Sequence, residues 1–193
     1  MTDSELIQHY LQGNIHSFNL LVGRWEKPVF NFILKTVSNE DLAKDICQIV
    51  FVKVYQQLKR LNDPDCFPSW VYRIAYRACC DEFKKSKRHK TVSLDEFVDG
   101  RGEIASDATE RPDQQVDTQQ IQSLLKDALN TLPEEQRTVI IMKQYQGLKF
   151  HEIADILDEP INTVKSRLYY GLKAMRKMLE ASEFSKEVLL YDV

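Results

Sequence analysis

Apolar residues recur at helical spacing along this chain, and no stretch alternates with the period of two that marks a strand. Over residues 15–36, Phe18, Leu21, Trp25, Val29, Phe32 and Ile33 form one stripe, which predicts a long amphipathic helix after a shorter one over 3–12. "SNED" then breaks the pattern and caps a helix expected over 40–61. That helix has two distinct sides. Ala43, Ile46, Cys47, Val50, Val54, Leu58 and Leu61 share one side. Asp41, Asp45, Gln48, Tyr55 and Lys59 share the other, with Val52 among them and Ile49 at the border. Two β-branched residues among acids and amides suit a surface that meets another protein. "NDPDCFPS" reads as a loop, 61–69, ahead of a helix expected over 70–85. Val71, Ile74, Ala75 and Ala78 form its inward side, while Arg73, Tyr76, Arg77, Cys80 and Lys84 lie elsewhere. Basic and aromatic groups on one helix suit nucleic acid, above all single strands, because bases stack on rings. Trp70 is expected in the core rather than against a base.

The C-terminal third repeats the helical period in shorter pieces. One helix is expected over about 117–130, with Ile121, Leu124, Leu125, Ala128 and Leu129 on one face. The next follows "TLPEEQ", where Pro133 and two Glu suit a first turn. It carries Val139, Ile140 and Met142 inward and ends near Gly147. "FHEIADILDEPINTVKSRLYYGLKAM" then reads as two short helices around a tight turn. Ile153, Ala154, Ile156 and Leu157 make the buried side of the first, which stops because Pro160 disfavours helix in the residue before it. Asn162 or Thr163 is expected to cap the second. Val164, Leu168, Leu172 and Met175 form its packed stripe. Thr163, Ser166, Arg167, Tyr170 and Lys173 face outward, with Lys165 beside them. A helix whose N-terminal end carries cations and hydroxyls matches the helix-turn-helix mode of major-groove reading.

Charge complicates this picture, because the chain holds 26 Lys and Arg against 29 Asp and Glu. The excess is local. Residues 1–90 carry 14 basic and 10 acidic side chains, residues 91–117 carry 2 and 8, residues 118–180 carry 9 and 8, and residues 181–193 carry 1 and 3. The acidic stretch "TVSLDEFVDGRGEIASDATERPDQQVD" has too few large apolar residues to offset its ordering entropy, so it reads as a linker. The expected fold is therefore all-α, with two small helical domains, 1–90 and 118–180, joined by an acidic flexible linker over 91–117. The tail 181–193 has no assignment. "KKSKRHK", closing the first domain, packs five basic residues into seven and suits phosphate.

The 193 residues and 43% apolar content are enough for packed cores, yet no apolar run approaches the ~20 residues of a membrane span. "MTDSELIQHY" has no secretory character, so a cytosolic location is expected. Cys47, Cys66, Cys79 and Cys80 form no Cys-x-x-Cys pair and the four His are scattered, so reduced thiols and no metal or other cofactor are expected.

In order, "NEDLAKDICQIVFVKVYQQL", "FPSWVYRIAYRACCDEFKK", an acidic segment, "LPEEQRTVIIMKQYQGLKFHEIADIL" and "NTVKSRLYYGLKAMRKML" resemble the extracytoplasmic-function group of bacterial sigma factors, in the sigma-70 family. The resemblance spans roughly residues 10–180. Its specificity lies in the ordered combination, since many regulators contain a segment like "EIADIL". It implies a promoter-specificity subunit of RNA polymerase, built from a region 2 bundle and a region 4 helix-turn-helix. It implies docking on the β′ clamp coiled coil through Asp41, Asp45, Gln48, Phe51 and Val52. Asp45, Gln48 and Phe51 fall on the family's acid-x-x-Gln-x-x-Phe pattern. Recognition and melting of the −10 element would fall to Asn62, Asp63, Phe67, Arg73, Tyr76, Arg77 and Lys84. The −35 element would be read by Thr163, Lys165, Ser166, Arg167, Tyr170 and Lys173, on a domain that also touches the β flap. The linker would thread toward the active-site and RNA-exit channels. An anti-sigma factor covering the docking surfaces is also implied, and it could hold the chain at the inner membrane face. The chain departs from the family at Cys47, at Ile49, where Glu is frequent, and at "YYG", which replaces a more usual basic run.

No Gly-rich phosphate loop, metal cluster or general acid–base set suggests an enzyme, and no small-molecule substrate is expected. The competing reading is a stand-alone helix-turn-helix regulator acting as a dimer. The docking helix and the missing ligand or receiver domain argue against it. Specific promoter binding that needs core polymerase separates the two readings.

Overall fold

The computed structural model describes the backbone of residues 1–92 and 112–181, and the side chains of 1–85 and 121–180. Among the described residues there are helices and no strands. In chain order the α-helices are α1 (Asp3–Leu11), α2 (Ile15–Val37), α3 (Glu40–Gln57), α4 (Phe67–Val92), α5 (Pro112–Asn130), α6 (Glu134–Ile140), α7 (Phe150–Leu157) and α8 (Ile161–Ala181). Short 3-10 turns, Leu58–Arg60 and Pro64–Cys66, join α3 to α4, and a π-helical stretch, Ile141–Tyr145, extends α6. The all-α expectation holds. The expected linker lies outside the described residues over 93–111, with α4 and α5 running into its two ends, and so do the side chains of Lys87, Arg88 and Lys90 and the tail 182–193.

In the N-terminal bundle α2 lies centrally, against α1, α3 and α4. The starts of α1, α2 and α3 each have a side chain that satisfies free amide groups. Thr2 and Glu5 form a reciprocal capping box on α1, Asn14 caps α2, and Asn39 accepts from Leu42 N at 2.9 Å on α3. Ser38, left-handed at φ 55°, ends α2, as the break at "SNED" predicts. Leu21, Val29, Phe32 and Ile33 of α2 are sealed from solvent against Ala43, Ile46, Val50 and Val54 of α3 and Val71 and Ala75 of α4. Each large apolar side chain so buried stabilises by about 1.5–3 kcal/mol. Trp25 fixes α1 and α4 to α2: its Nε1 donates to Asp3 at 3.0 Å, and its ring meets Phe67 at 5.6 Å and Tyr72 at 5.8 Å.

The C-terminal helices gather on α8, which packs against α5, α6 and α7. Ile153, Ile156, Val164 and Met175 close this core with Val139 to Met142. Asp158, left-handed at φ 56°, ends α7 before Pro160. The helix α8 begins at Ile161, and its first helical bond runs from Val164 N to the Pro160 carbonyl at 3.1 Å. Asn162 and Thr163 therefore lie inside the first turn rather than at the cap.

Two apolar positions differ from expectation. Leu172 is 40% exposed, and Gly171 is the residue that faces α6, so the packed stripe is Val164, Leu168, Gly171 and Met175. Ile121, midway along α5, is 39% exposed. A Cβ at 171 would meet Ile140 Cδ1 at 2.8 Å and Gln136 Cβ at 3.3 Å, so the glycine sets how closely α6 and α8 approach. Gly171→Ala should therefore cost more in the native protein than in an Ile140→Val background, which lacks that Cδ1. The coupling expected from urea denaturation is about 1 kcal/mol, and equal costs in the two backgrounds would contradict the contact.

Candidate promoter and polymerase interfaces

The outward side of α3 carries Asp41, Asp45, Gln48, Val52 and Tyr55 over about four turns, all exposed. Val52 is 55% exposed and Ile49 43%, so the apolar atoms on this acidic strip face water. Lys44 pairs with Glu40 at 2.8 Å and Asp41 at 3.7 Å, which leaves Asp45 to set the charge at the centre of the strip. Phe51 is half-buried against the bundle core. The opposite side is buried as the periodicity predicts, with Leu61 half-covered. The strip is therefore backed by packed helix and held in one orientation.

After α3 the chain turns through Asn62 and Asp63, both exposed. Asp63 accepts from Asp65 N at 3.0 Å and from the Cys66 thiol at 3.3 Å, so its carboxylate organises the loop. Ser4 of α1 donates to Asp65 and ties the loop to the bundle. The helix α4 starts at Phe67, three residues earlier than expected, and Phe67 is wholly buried against Trp25, with Trp70 5.8 Å away. Phe67 is a core residue here and is removed from the candidate surface. The physical reason is its place in the first turn of α4, which aims its ring at α2.

Along α4, Arg77 and Lys84 line a polar groove with Lys53, Gln57 and Asp81, and Lys53 lies 3.9 Å from Asp81. Arg73 and Tyr76 point elsewhere, toward the C-terminal helices. Arg73 Nη2 donates to the Asp155 carbonyl of α7 at 2.9 Å, and its Nε is buried without an acceptor. The Tyr76 phenol is half-buried. Burial pushes its pKa up, a hydrogen bond with Cys80 adds to the rise, and the Arg167 charge opposes it. The seven residues assigned to −10 thus fall into four places: Asn62 and Asp63 on the loop, Arg77 and Lys84 in the groove, Arg73 and Tyr76 toward the C-terminal helices, and Phe67 inside.

On α8, Lys165, Ser166, Tyr170 and Lys173 are exposed and Thr163 is half-covered. The Ser166 hydroxyl donates back to the Asn162 carbonyl at 2.7 Å, leaving its lone pairs outward. Arg167 is held at 2.9 Å by Glu159, from the turn between α7 and α8. The sequence reading did not single out Glu159; an acid eight positions before the Arg, across the turn, is the available signal. Tyr170 is 58% exposed with Tyr169 beside it, their ring centroids 5.4 Å apart. Among the described residues no group of three or more His, Cys, Asp or Glu gathers as a metal site, and no helix is long and apolar enough to cross a membrane.

A helical bundle with an acidic-apolar strip, followed by a helix-turn-helix with a cationic second helix, defines an all-helical protein of the helix-turn-helix class. Comparison with known proteins makes the class specific. Residues 21–89 match the model for sigma-70 region 2, and residues 122–175 match that for sigma-70, region 4. The chain is 27% identical over 184 residues to the ECF RNA polymerase sigma-E factor of Haemophilus influenzae, covering 93% of this chain and 94% of that one. It is 25% identical over 181 residues to the RNA polymerase sigma-H factor of Pseudomonas aeruginosa, covering 92% and 94%. Its fold is similar to that of the sigma factor RpoE solved with the anti-sigma factor NepR from Bartonella quintana (TM-score 0.71, 21% identity, 86% of this chain and 98% of that one). It is also similar to CnrH solved with the cytosolic domain of CnrY (TM-score 0.66, 20% identity, 94% and 99%). With both regions present in order, the chain belongs to the sigma-70 family of RNA polymerase sigma factors.

The thiols beneath these surfaces give a test of the packing. Burial pushes Cys47 up to about 11 and Cys79 up to about 12. A pKa raised on folding gives stability that is full below the unfolded thiol value near 9 and is lost as pH climbs through 11 and 12. Unfolding free energy should accordingly hold level to about pH 8.5 and fall above pH 9. At neutral pH a maleimide should label the exposed Cys66 first and spare Cys47 and Cys79 until the chain unfolds. Prompt labelling of Cys47 or Cys79 would contradict the packing.

Proposed function

We propose that this chain is an alternative sigma factor that binds core RNA polymerase and directs promoter-specific initiation by reading −10 and −35 elements. The observation that carries the reading is the ordered pair of region 2 and region 4, with a solvent-facing acidic-apolar strip on the first and a cationic recognition helix on the second.

In this reading the α3 strip is the polymerase contact. Asp41, Asp45 and Gln48 supply charge and hydrogen bonding for the β′ clamp coiled coil, and Val52 supplies apolar area that stabilises by about 25 cal/mol for each Å² buried. Phe51 acts from behind, as packing. Asn62, Asp63, Arg73, Tyr76, Arg77 and Lys84 serve the −10 element. Thr163, Lys165, Ser166, Arg167, Tyr170 and Lys173 serve the −35 element, with the β flap touching the same domain. Arg167 is the strongest candidate for a guanine, since its planar fork matches two acceptors on that base. The boundaries 1–90, 91–117, 118–180 and 181–193 describe the working parts. The chain is a binding subunit without chemistry of its own, and it works in the cytoplasm or at the inner membrane face when an anti-sigma factor holds it there. Such a factor is the expected regulator.

Asp45→Ala combined with Gln48→Ala should weaken capture of core polymerase by about tenfold or more while helix content stays unchanged. Unchanged core affinity would remove the α3 assignment. Arg167→Ala should cut −35-dependent transcription by roughly 5- to 100-fold and spare core binding. An equal loss on templates with and without the −35 element would count against direct reading by α8.

A further inference from the structure

Glu159 precedes Arg167 by eight positions and lies across a turn, yet their side chains meet: Arg167 Nη2 donates to the Glu159 carboxylate at 2.9 Å. That is the length of a charge-assisted bond. Both ends of the contact are fixed. The Glu159 amide donates to the Ala154 carbonyl at 3.1 Å, Asp158 before it is left-handed at φ 56°, and Pro160 after it restricts its backbone to extended conformations. Arg167 stands within α8, where a long side chain leans toward the helix N-terminus, and that lean carries its guanidinium to the turn.

We propose that Glu159 is a positioning residue for promoter reading: it holds one edge of the Arg167 guanidinium, so that the remaining donors meet a guanine in one orientation. The pair, rather than Arg167 alone, then sets base choice at that position. The inference rests on the proposed function, because it takes α8 to be the −35 reader.

Donor count supplies the first argument. A guanidinium carries its N–H donors along a planar fork, and guanine presents the acceptors O6 and N7 to the major groove. Among the described residues the Glu159 contact uses Nη2, so Nε and Nη1 stay available for a base. Ordering is the second argument. An unheld Arg loses rotamer freedom when it meets a base, and one already tied to a carboxylate has less left to lose.

The third argument is electrostatic. The carboxylate offsets the long-range pull of Arg167 on any phosphate, while a two-point contact with the right base acts at short range and survives. Base choice is a difference between those affinities, so the acid sharpens choice and weakens general grip. The pairing is also particular to this cation. Lys165 and Lys173, outward on the same helix, have no acid at ion-pair distance among the described residues, and Lys165 lies instead 5.8 Å from the centre of the Phe150 ring.

The test scores base preference in transcription by the full chain with core polymerase, on promoter templates randomised at each position of the −35 element. The native chain should favour a G·C pair at one position, and Arg167→Ala should abolish that preference. Glu159→Ala should lower it about fivefold at the same position and leave preferences elsewhere unchanged. Both side chains are partly exposed, so their pairing contributes little to stability and this variant should melt near the native chain. Should it unfold instead, Glu159→Gln, which keeps the shape and loses the charge, should show the same local fall. In an Arg167→Ala background, removing Glu159 should change no base preference, which separates positioning from a general role in the turn. Absence of an Arg167-dependent G·C preference, an unchanged preference in the Glu159 variants, an equal loss at every position, or a further loss in the Arg167→Ala background would each overturn the inference. Failure of the native chain to support promoter-dependent transcription would instead overturn the sigma-factor reading, and this inference with it.

Discussion

Helix α4 is the member whose packing both halves share. Its Val71, Tyr72, Ala75, Ala78 and Cys79 are buried, and these positions hold it against α2 and α3. The remaining arc is divided between Arg73, which meets α7, Tyr76, which lies near enough to Arg167 to feel its charge, and Arg77 and Lys84, which face the groove beside Lys53. One helix thus fixes the back of the α3 strip, the wall of a basic groove and the seat of the C-terminal body. Change at its buried side would be felt at every candidate surface, because close-packed interiors transmit displacement rather than absorb it.

That shared helix also bears on how an acidic chain serves a polyanion. The negative surplus is concentrated in residues 91–117, while residues 1–90 carry four more basic than acidic side chains. Local sign governs binding more than the total does. Even so, the C-terminal domain has a surplus of one positive charge over residues 118–180, which is little grip at physiological salt. A subunit of this kind contributes choice, with adhesion coming from the polymerase it joins.

Much of this was legible in the sequence. The stripes on α2 and α3 and the helix-turn-helix of α7 and α8 follow from periods that only a helix satisfies, and the outward strip of α3 could be drawn residue by residue. The failures have definite causes. Gly171 occupies a core position that a hydrophobic pattern cannot register, so Leu172 was assigned its place. Phe67 stands at a helix start that the two flanking prolines disguise as loop, and its ring turns inward. The Arg73 contact is made to a backbone carbonyl, which no residue identity reveals. The pairing of Arg167 with Glu159 crosses a turn, where helical spacing gives no guide.

The most direct test is start-site selection. Purified chain, bacterial core RNA polymerase and a genomic DNA library would be combined, and the 5′ ends of the transcripts mapped with and without the chain. The account predicts a set of start sites that appears only with the chain and shares one pair of upstream elements. Identical start sites in both reactions, from a core enzyme that responds to a known sigma factor, would contradict it.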